Sequence, residues 1–146
     1  MTTTTRRPAR PDFNQALIED FRRNAGHATS GPFVGRNLLL LTTVGRRSGG
    51  ENTVPLVYSR DDDRYVIVAS KGGAPTNPAW YHNLVANPLV RVEVGTDSFT
   101  ARARVAEGTE RRRLFDRQAE ENPGFREYEK RTTRQIPVIT LERIPA

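Results

Sequence analysis

The chain alternates between apolar runs and polar or glycine-rich turns, and six of the runs have the length and composition of β-strands. They cover residues 37–43, 53–59, 64–70, 89–95, 98–106 and 136–144. The fourth run places Val90, Val92 and Val94 on one face and charged residues on the other, which predicts a strand with one wet face. The third is apolar at residues 66–68, which predicts a central strand buried on both faces.

The connections between these runs predict hairpins. The run at 64–70 follows 53–59 through an acidic turn, and 98–106 follows 89–95 through a turn that begins at Gly95. No strand–helix–strand rhythm is present. The fold class is therefore mainly β (α+β), a small barrel of about six mostly antiparallel strands with short peripheral helices.

An amphipathic helix is predicted over residues 12–25, with Asp12 as its N-cap and Gly26 as its stop. Its narrow apolar stripe holds Phe13, Leu17 and Phe21. Such a stripe docks on the barrel, or it leans over a substrate or a membrane surface.

Three further segments have helical character. Asn77 is predicted to cap a short helix that has Pro78 at its first position and ends near Ala86. Another helix is predicted from Thr109, and residues 125–133 form a short helix or turn.

The length of 146 residues suits one domain with a real core, since 36% of the residues are hydrophobic and 27% are charged. The Thr-, Arg- and Pro-rich residues 1–11 are predicted to be disordered. Residues 12–146 are predicted to form the single domain.

The chain contains no cysteine, so disulfides and cysteine metal sites are excluded. No apolar run approaches the length of a membrane span, and the N-terminus lacks the apolar core of a secretory signal. A cytoplasmic protein is expected. The net charge of +6 favours anionic partners: nucleic acid, an acidic membrane surface or a polyanionic small molecule.

Several chemistries lack their residues. The two histidines, His27 and His82, stand in no triad motif, and His82 is expected to be structural. No cluster has the spacing of metal ligands, and no phosphate-binding lysine motif occurs. The sequence therefore predicts no metal site.

Three polar features remain. Residues 45–50, "GRRSGG", combine glycines that can form an anion-binding nest with two arginines that add charge-assisted donors. Ser70 and Lys71 follow a buried strand, and the short helix after them carries Trp80 near an N-terminus that favours anions. An exposed turn, a solvated lysine and a core tryptophan are the alternatives. Together the features suit a phosphorylated, flavin-like cofactor better than a nucleic acid.

At these motifs the chain resembles the deazaflavin-dependent nitroreductase family. The segments "LLLLTTVGRRSGGENTVPLVY", "YVIVASKGGAPTNPAWYHNLVANPLVRVEV" and "RQIPVITLERI" carry the resemblance, which extends over about residues 13–144. It implies a split β-barrel and the binding of coenzyme F-420, an 8-hydroxy-5-deazaflavin with a phospholactate and a polyglutamate tail.

The resemblance also implies a set of site residues. The phosphate and tail groove is expected to include Gly49 and Gly72 and to have Asn52 where many relatives carry a basic residue. Its other members are Arg46, Arg47, Ser48 and Lys71. The ring is expected to lie near Val54, Pro55, Val68, Ala69, Ser70, Trp80, Tyr81 and Asn83.

The implied reaction is hydride transfer from the reduced cofactor to a hydrophobic, electron-poor acceptor such as a quinone, an activated alkene or a nitroaromatic. Ser70 would bind the ring and Tyr128 would protonate the product. Phe13, Leu17, Phe125 and Tyr128 would contact the acceptor. Arg22 and Arg23 offer a peripheral contact to anionic lipid.

Three alternatives stay open at this point: a flavin mononucleotide-dependent reductase on the same barrel, a non-enzymatic deazaflavin carrier and a basic nucleic-acid module. Nucleic-acid binding is not expected.

Overall fold

The computed structural model describes residues 11–145, which form a seven-stranded antiparallel sheet curled into a split barrel. The strands are β1 (Leu38–Val44), β2 (Glu51–Val57), β3 (Ser59–Asp61), β4 (Arg64–Val68), β5 (Leu89–Val94), β6 (Asp97–Val105) and β7 (Val138–Arg143). The helices are α1 (Pro11–Arg23), α2 (Ala79–Ala86), α3 (Gly108–Glu121) and α4 (Gly124–Lys130), and a single 3-10 turn covers Lys71–Gly73. No helix in this part of the chain is long and apolar enough to cross a bilayer.

The sheet order β2-β1-β5-β6-β7-β4-β3 places two consecutive strands at opposite edges. The chain passes from β2 to β3 through Tyr58 alone, so one nearly continuous strand joins both edges and curls the sheet. Gln118, which is fully buried on α3, bridges this seam. Its side chain accepts a hydrogen bond from Ser59 at 2.9 Å and donates one to the Val57 carbonyl at 3.4 Å.

β1 and β4 have continuous hydrophobic runs because both of their faces pack against other apolar residues. Leu39 and Leu41 belong to the cluster inside the barrel, whereas Leu38 and Leu40 pack outside it against α1. In β4, Ile67 lies inside and its neighbours pack under α3. The predicted burial of residues 66–68 is confirmed, and so is the burial of Val90 and Val92 on the inner face of β5.

The predicted strand at 53–59 is wrong in its bounds and in part of its pairing. β2 pairs along its whole length with β1, and only the three-residue β3 pairs with β4. The apolar pattern continues through Tyr58 while the hydrogen-bonding partner changes there. Residues 11–145 thus contain seven strands where about six were expected. The second predicted hairpin is confirmed as β5–β6.

The helix boundaries also differ from the expectation. α1 begins at Pro11, so Asp12 lies inside the helix and is not its N-cap; residues 1–10 lie outside the described part of the chain. The helix ends at Arg23, ahead of Gly26. α2 begins at Ala79 with Pro78 in an extended conformation, and Asn77 makes no capping hydrogen bond.

The barrel is open along one line, which we call the split: the outer edge of β2 and the edge of β4 beyond Val66. β3 pairs with β4 only as far as Val66, so Val68 has no strand on that side. The Ala69 amide donates to the Pro137 carbonyl at 2.9 Å, and by strand alternation the backbone polar groups of Val68 point into the split. Pro55 lies on the outer edge of β2, where its missing N–H removes no ladder hydrogen bond.

The carboxylate of Asp61 should make the unfolding free energy sensitive to acid. Arg113, at 3.0 Å from its carboxylate, and Arg64 lower the pKa of Asp61 from 3.8 to about 2. A folded-state pKa below the unfolded value means that the stabilisation is complete above pH 3.8 and is lost as the pH falls toward 2. We expect Asp61→Asn to lower the unfolding free energy by about 2 kcal/mol at pH 7, measured by urea denaturation.

Asp63→Asn is the control, because Asp63 is an exposed carboxylate in the same turn. It should change stability little at any pH. An Asp61→Asn deficit as large at pH 2 as at pH 7 would contradict the linkage.

Candidate functional site

The two cationic loops predicted from the sequence, at residues 45–50 and 69–77, lie at the same end of the barrel. β1 and β4 are separated by four antiparallel pairings in the sheet order, so their chain directions agree. The β1–β2 turn at residues 45–50 and the loop at residues 69–77 therefore both follow the carboxyl ends of parallel-running strands. α2 covers this end, with contacts to β1 and β6.

A cavity of about 430 Å³ opens at the β1–β2 turn. Most of the residues predicted for the phosphate groove line it. The lining consists of Gly45, Arg46, Arg47, Ser48, Gly50, Glu51, Asn52 and Asn83. The structure therefore brings Arg46, Arg47, Ser48 and Asn52 together, and it adds Asn83 to them.

Asn83 fixes the shape of this turn from below. The residue is 5% exposed, and its side chain accepts a hydrogen bond from the Arg46 amide at 3.1 Å and donates one to Thr43 at 3.1 Å. Ser48 accepts a hydrogen bond from the Gly50 amide at 3.1 Å. The prediction assigned Asn83 to the ring; in the structure its two hydrogen bonds tie α2 to the β1–β2 turn and to Thr43.

The turn presents unsatisfied donors to solvent. The amides of Arg47 and Ser48 have no hydrogen-bond partner among residues 11–145, and consecutive free amides in a turn make a nest for an anion. The Arg46 and Arg47 side chains are exposed, and neither makes an ion pair with a side chain of residues 14–145. Glu51 is the one carboxylate in the lining.

The second loop places Ser70 and Lys71 differently. Ser70 is buried, and its hydroxyl has no hydrogen-bond partner among residues 11–145. Lys71 and Gly72 are exposed, and the Lys71 ammonium donates to Thr76 at 3.3 Å. A buried, unpaired hydroxyl beside an exposed ammonium can receive a polar ligand.

Residues predicted to face the ring divide between two sides of the sheet. Val54, Ala69, Trp80 and Tyr81 belong to the barrel interior cluster. The Val68 side chain packs on the outer face, under α3, so only its backbone is available to the split.

Phe125 and Tyr128 lie on α4, which packs against the 3-10 turn at Lys71–Gly73. Their rings are 5.4 Å apart in an edge-to-face arrangement and lie partly buried beside α3. Leu17 instead packs against β1 in the α1 cluster, and the Phe13 side chain lies outside the described residues. Of the predicted acceptor contacts whose side chains the structure describes, Phe125 and Tyr128 lie together and Leu17 belongs to a different cluster.

Arg134 was not predicted, although it makes the densest set of contacts to the second loop. Its guanidinium donates to the Ala69, Ser70 and Ala74 carbonyls and to the Asn77 side chain. The only sequence signal was one more arginine in an arginine-rich chain. Asn77, which was expected to cap α2, accepts this hydrogen bond instead.

Within residues 11–145, no three side chains of the metal-binding types come together. His82 is half-buried on α2, with its ring edge-to-face with Tyr81 at 5.3 Å. Neither observation adds a metal or a triad to the site.

Comparison with known proteins identifies the family of the chain. A family described as "F420H(2)-dependent quinone reductase" matches residues 15–143. The chain is 44% identical over 108 residues to Rv1261c of Mycobacterium tuberculosis, which carries the same description, and the match covers 72% of each protein.

Solved structures agree in fold. One described as an "F420-H2 Dependent Reductase (FDR-A)" superposes with a TM-score of 0.68 at 41% identity, covering 73% of this chain and 95% of that one. HutZ of Vibrio cholerae, at 17% identity and a TM-score of 0.58, shares only the fold. The chain belongs to the family of quinone reductases that depend on reduced coenzyme F-420.

Proposed function

We propose that this chain reduces a quinone with coenzyme F-420, holding the anionic part of the cofactor in the cavity of Arg46 and Arg47 and its ring at the split. The family establishes a deazaflavin-dependent oxidoreductase. The observation that carries the residue assignment is the cavity itself, in which free amides and exposed guanidinium groups converge.

The anionic part of the cofactor fits this cavity chemically. The amides of Arg47 and Ser48 and the guanidinium groups are donors, and a phosphate offers only acceptors. Lys71 lies at the same end of the barrel and can add a third cation to Arg46 and Arg47. Glu51 repels any additional negative charge in the cavity, and Asn52 contributes no positive charge to attract one.

The ring is assigned to the split on chemical grounds. The inward-facing side chains Val54, Ala69, Trp80 and Tyr81 are apolar or aromatic, and the backbone of Val68 offers hydrogen bonds along an otherwise unpaired edge. The hydroxyl of Ser70 would bind a polar ring atom. When bound, reduced F-420 supplies a hydride from C5 of its deazaflavin ring.

The remaining roles concern the acceptor. Tyr128 would return a proton to the reduced product from its phenol, and Phe125 beside it offers an apolar contact to the quinone. Leu17 would take part only through a change in its packing against β1, since it is 7% exposed. Phe13 keeps its assignment to the acceptor as a proposal.

Contact with an anionic membrane is a separate proposal that rests on fewer residues. Arg22 binds Glu93 with its two nitrogens at 3.0 and 2.7 Å, so it is already neutralised within the chain. Arg23 is exposed and remains for a lipid headgroup. The proposed reaction does not require this contact.

The test is a titration with oxidised F-420 followed by its fluorescence, with flavin mononucleotide run in parallel. We expect micromolar binding of the deazaflavin and a loss of about a hundredfold or more in Arg46→Ala/Lys71→Ala, because each charge-assisted hydrogen bond contributes about 1.5–3 kcal/mol. Arg117→Ala, which removes an exposed cation from the outer face of α3, should bind normally.

The other outcomes separate the alternatives. Binding of flavin mononucleotide alone would replace the cofactor, and binding of neither would overturn the proposal. Oxidation of bound, reduced F-420 on addition of a soluble quinone distinguishes an enzyme from a carrier.

A further inference from the structure

Arg134 forms a single hub for the loop at residues 69–77. Its two terminal nitrogens lie 2.8 Å from the Ser70 carbonyl, 3.3 Å from the Ala69 carbonyl and 2.6 Å from the Asn77 side chain. Its Nε donates to the Ala74 carbonyl at 2.9 Å. One guanidinium thus reaches acceptors at both ends of the loop.

The backbone of the loop between these acceptors adopts an unfavourable conformation. Lys71 adopts a left-handed conformation with φ +49°, which costs an L-residue about 1–2 kcal/mol. The tight turn is closed by the Gly73 amide on the Ser70 carbonyl at 2.9 Å and by the Ala74 amide on the Lys71 carbonyl at 3.1 Å. Such a conformation persists only where surrounding contacts over-determine it.

The geometry required is specific to arginine. A planar fork with five N–H donors can serve several acceptors at fixed angles, whereas a lysine ammonium is a compact point charge. No carboxylate among the side chains of residues 14–145 forms an ion pair with Arg134. Its guanidinium is hydrogen-bonded to carbonyl oxygens, and burial lowers the pKa of Arg134.

Arg134 is itself anchored through the core. Two residues later, the Ile136 carbonyl accepts hydrogen bonds at 3.1 and 2.7 Å from Arg111, a buried residue of α3. A continuous set of contacts therefore runs from α3 through Ile136 and Arg134 to the loop.

We infer that Arg134 is a positioning residue of the cofactor site: it holds the loop that presents Ser70 and Lys71 in its binding conformation. This inference rests on the proposed function. Arg134 acts through the loop backbone, and its role is distinct from that of the cations that line the anion cavity.

The experiment compares Arg134→Lys and Arg134→Gln with wild type and with Arg117→Gln, which removes a charge from the surface of α3. Amide hydrogen exchange is followed in the protein without cofactor, and the affinity for oxidised F-420 is measured by fluorescence. In both Arg134 variants we expect about tenfold or faster exchange at the Gly73 and Ala74 amides, with unchanged exchange in β5 and β6. Binding should weaken about tenfold or more, since each hydrogen bond to a charged group accounts for roughly that factor.

The outcomes are distinguishable. Unchanged exchange and unchanged affinity in the Arg134 variants would overturn the inference, as would faster exchange throughout the barrel, which signals general loss of stability. Normal affinity despite a mobile loop would also overturn it. A wild-type protein that binds no F-420 would overturn the proposed function and this role of Arg134 with it.

Discussion

Gly26→Ala is expected to cost about 3 kcal/mol or more of unfolding free energy. Gly26 has φ +89°, which costs an alanine about 1 kcal/mol or more. A Cβ there would lie 2.4 Å from the Gly95 Cα and within 2.8 Å of its carbonyl oxygen. These are backbone atoms of the β5–β6 turn, so the end of α1 and the hairpin must separate, and overpacking adds about 1–3 kcal/mol.

Gly31→Ala separates the two causes. Gly31 has φ +84° but no atom within 4 Å of the added Cβ, so only the conformational cost of about 1 kcal/mol should appear. Urea denaturation followed by the fluorescence of Trp80 measures both variants. Equal losses would show that the close approach of Gly26 to Gly95 does not contribute.

Gly73→Ala is expected to cost about 2–4 kcal/mol, because here the loop at residues 69–77 touches α4. Gly73 has φ +84°, and its Cβ would lie 2.8 Å from the Arg131 Cβ and 3.0 Å from the Tyr128 carbonyl. The backbone conformation and the overpacking each contribute. Since α4 must move away, the edge-to-face packing of Phe125 on Tyr128 should also loosen, which near-ultraviolet circular dichroism detects.

The adjacent Gly72→Ala provides the matched stability measurement. Gly72 also has a positive φ, +64°, yet its Cβ would meet nothing within 4 Å. Gly72→Ala should lower the unfolding free energy by only about 1 kcal/mol. If Gly72→Ala proved as destabilising as Gly73→Ala, strain in the loop backbone rather than contact with α4 would explain both.

The pattern of apolar and polar residues predicted those strands well in which burial determines which positions are apolar. The continuous apolar runs of β1 and β4 follow from packing on both faces, and the alternation in β5 follows from a buried inner face and an outer face that carries the exposed Arg91 and the ion-paired Glu93. The break at Tyr58 escaped prediction because the side-chain pattern is uninterrupted there. What changes at Tyr58 is the hydrogen-bonding partner, which is a property of the whole sheet.

The site shows the same limit. The Arg46 and Arg47 turn was predictable because its glycines and cations are neighbours in sequence. Arg134 was not, because its acceptors lie 57 to 65 residues away along the chain. Asn83, 37 residues from the amide that it binds, could be associated with the site through its short helix and the family resemblance, but its partner could not be predicted.

Pro55 explains why the barrel stays open. A free edge of β2 facing a free edge of β4 invites the two strands to zip together, which would complete the cylinder and fill the space between them. A proline in the middle of one edge withholds the amide that such a ladder needs. The chain thus forgoes hydrogen bonds that would strengthen its fold, and the backbone polar groups of Val68 stay available along the split.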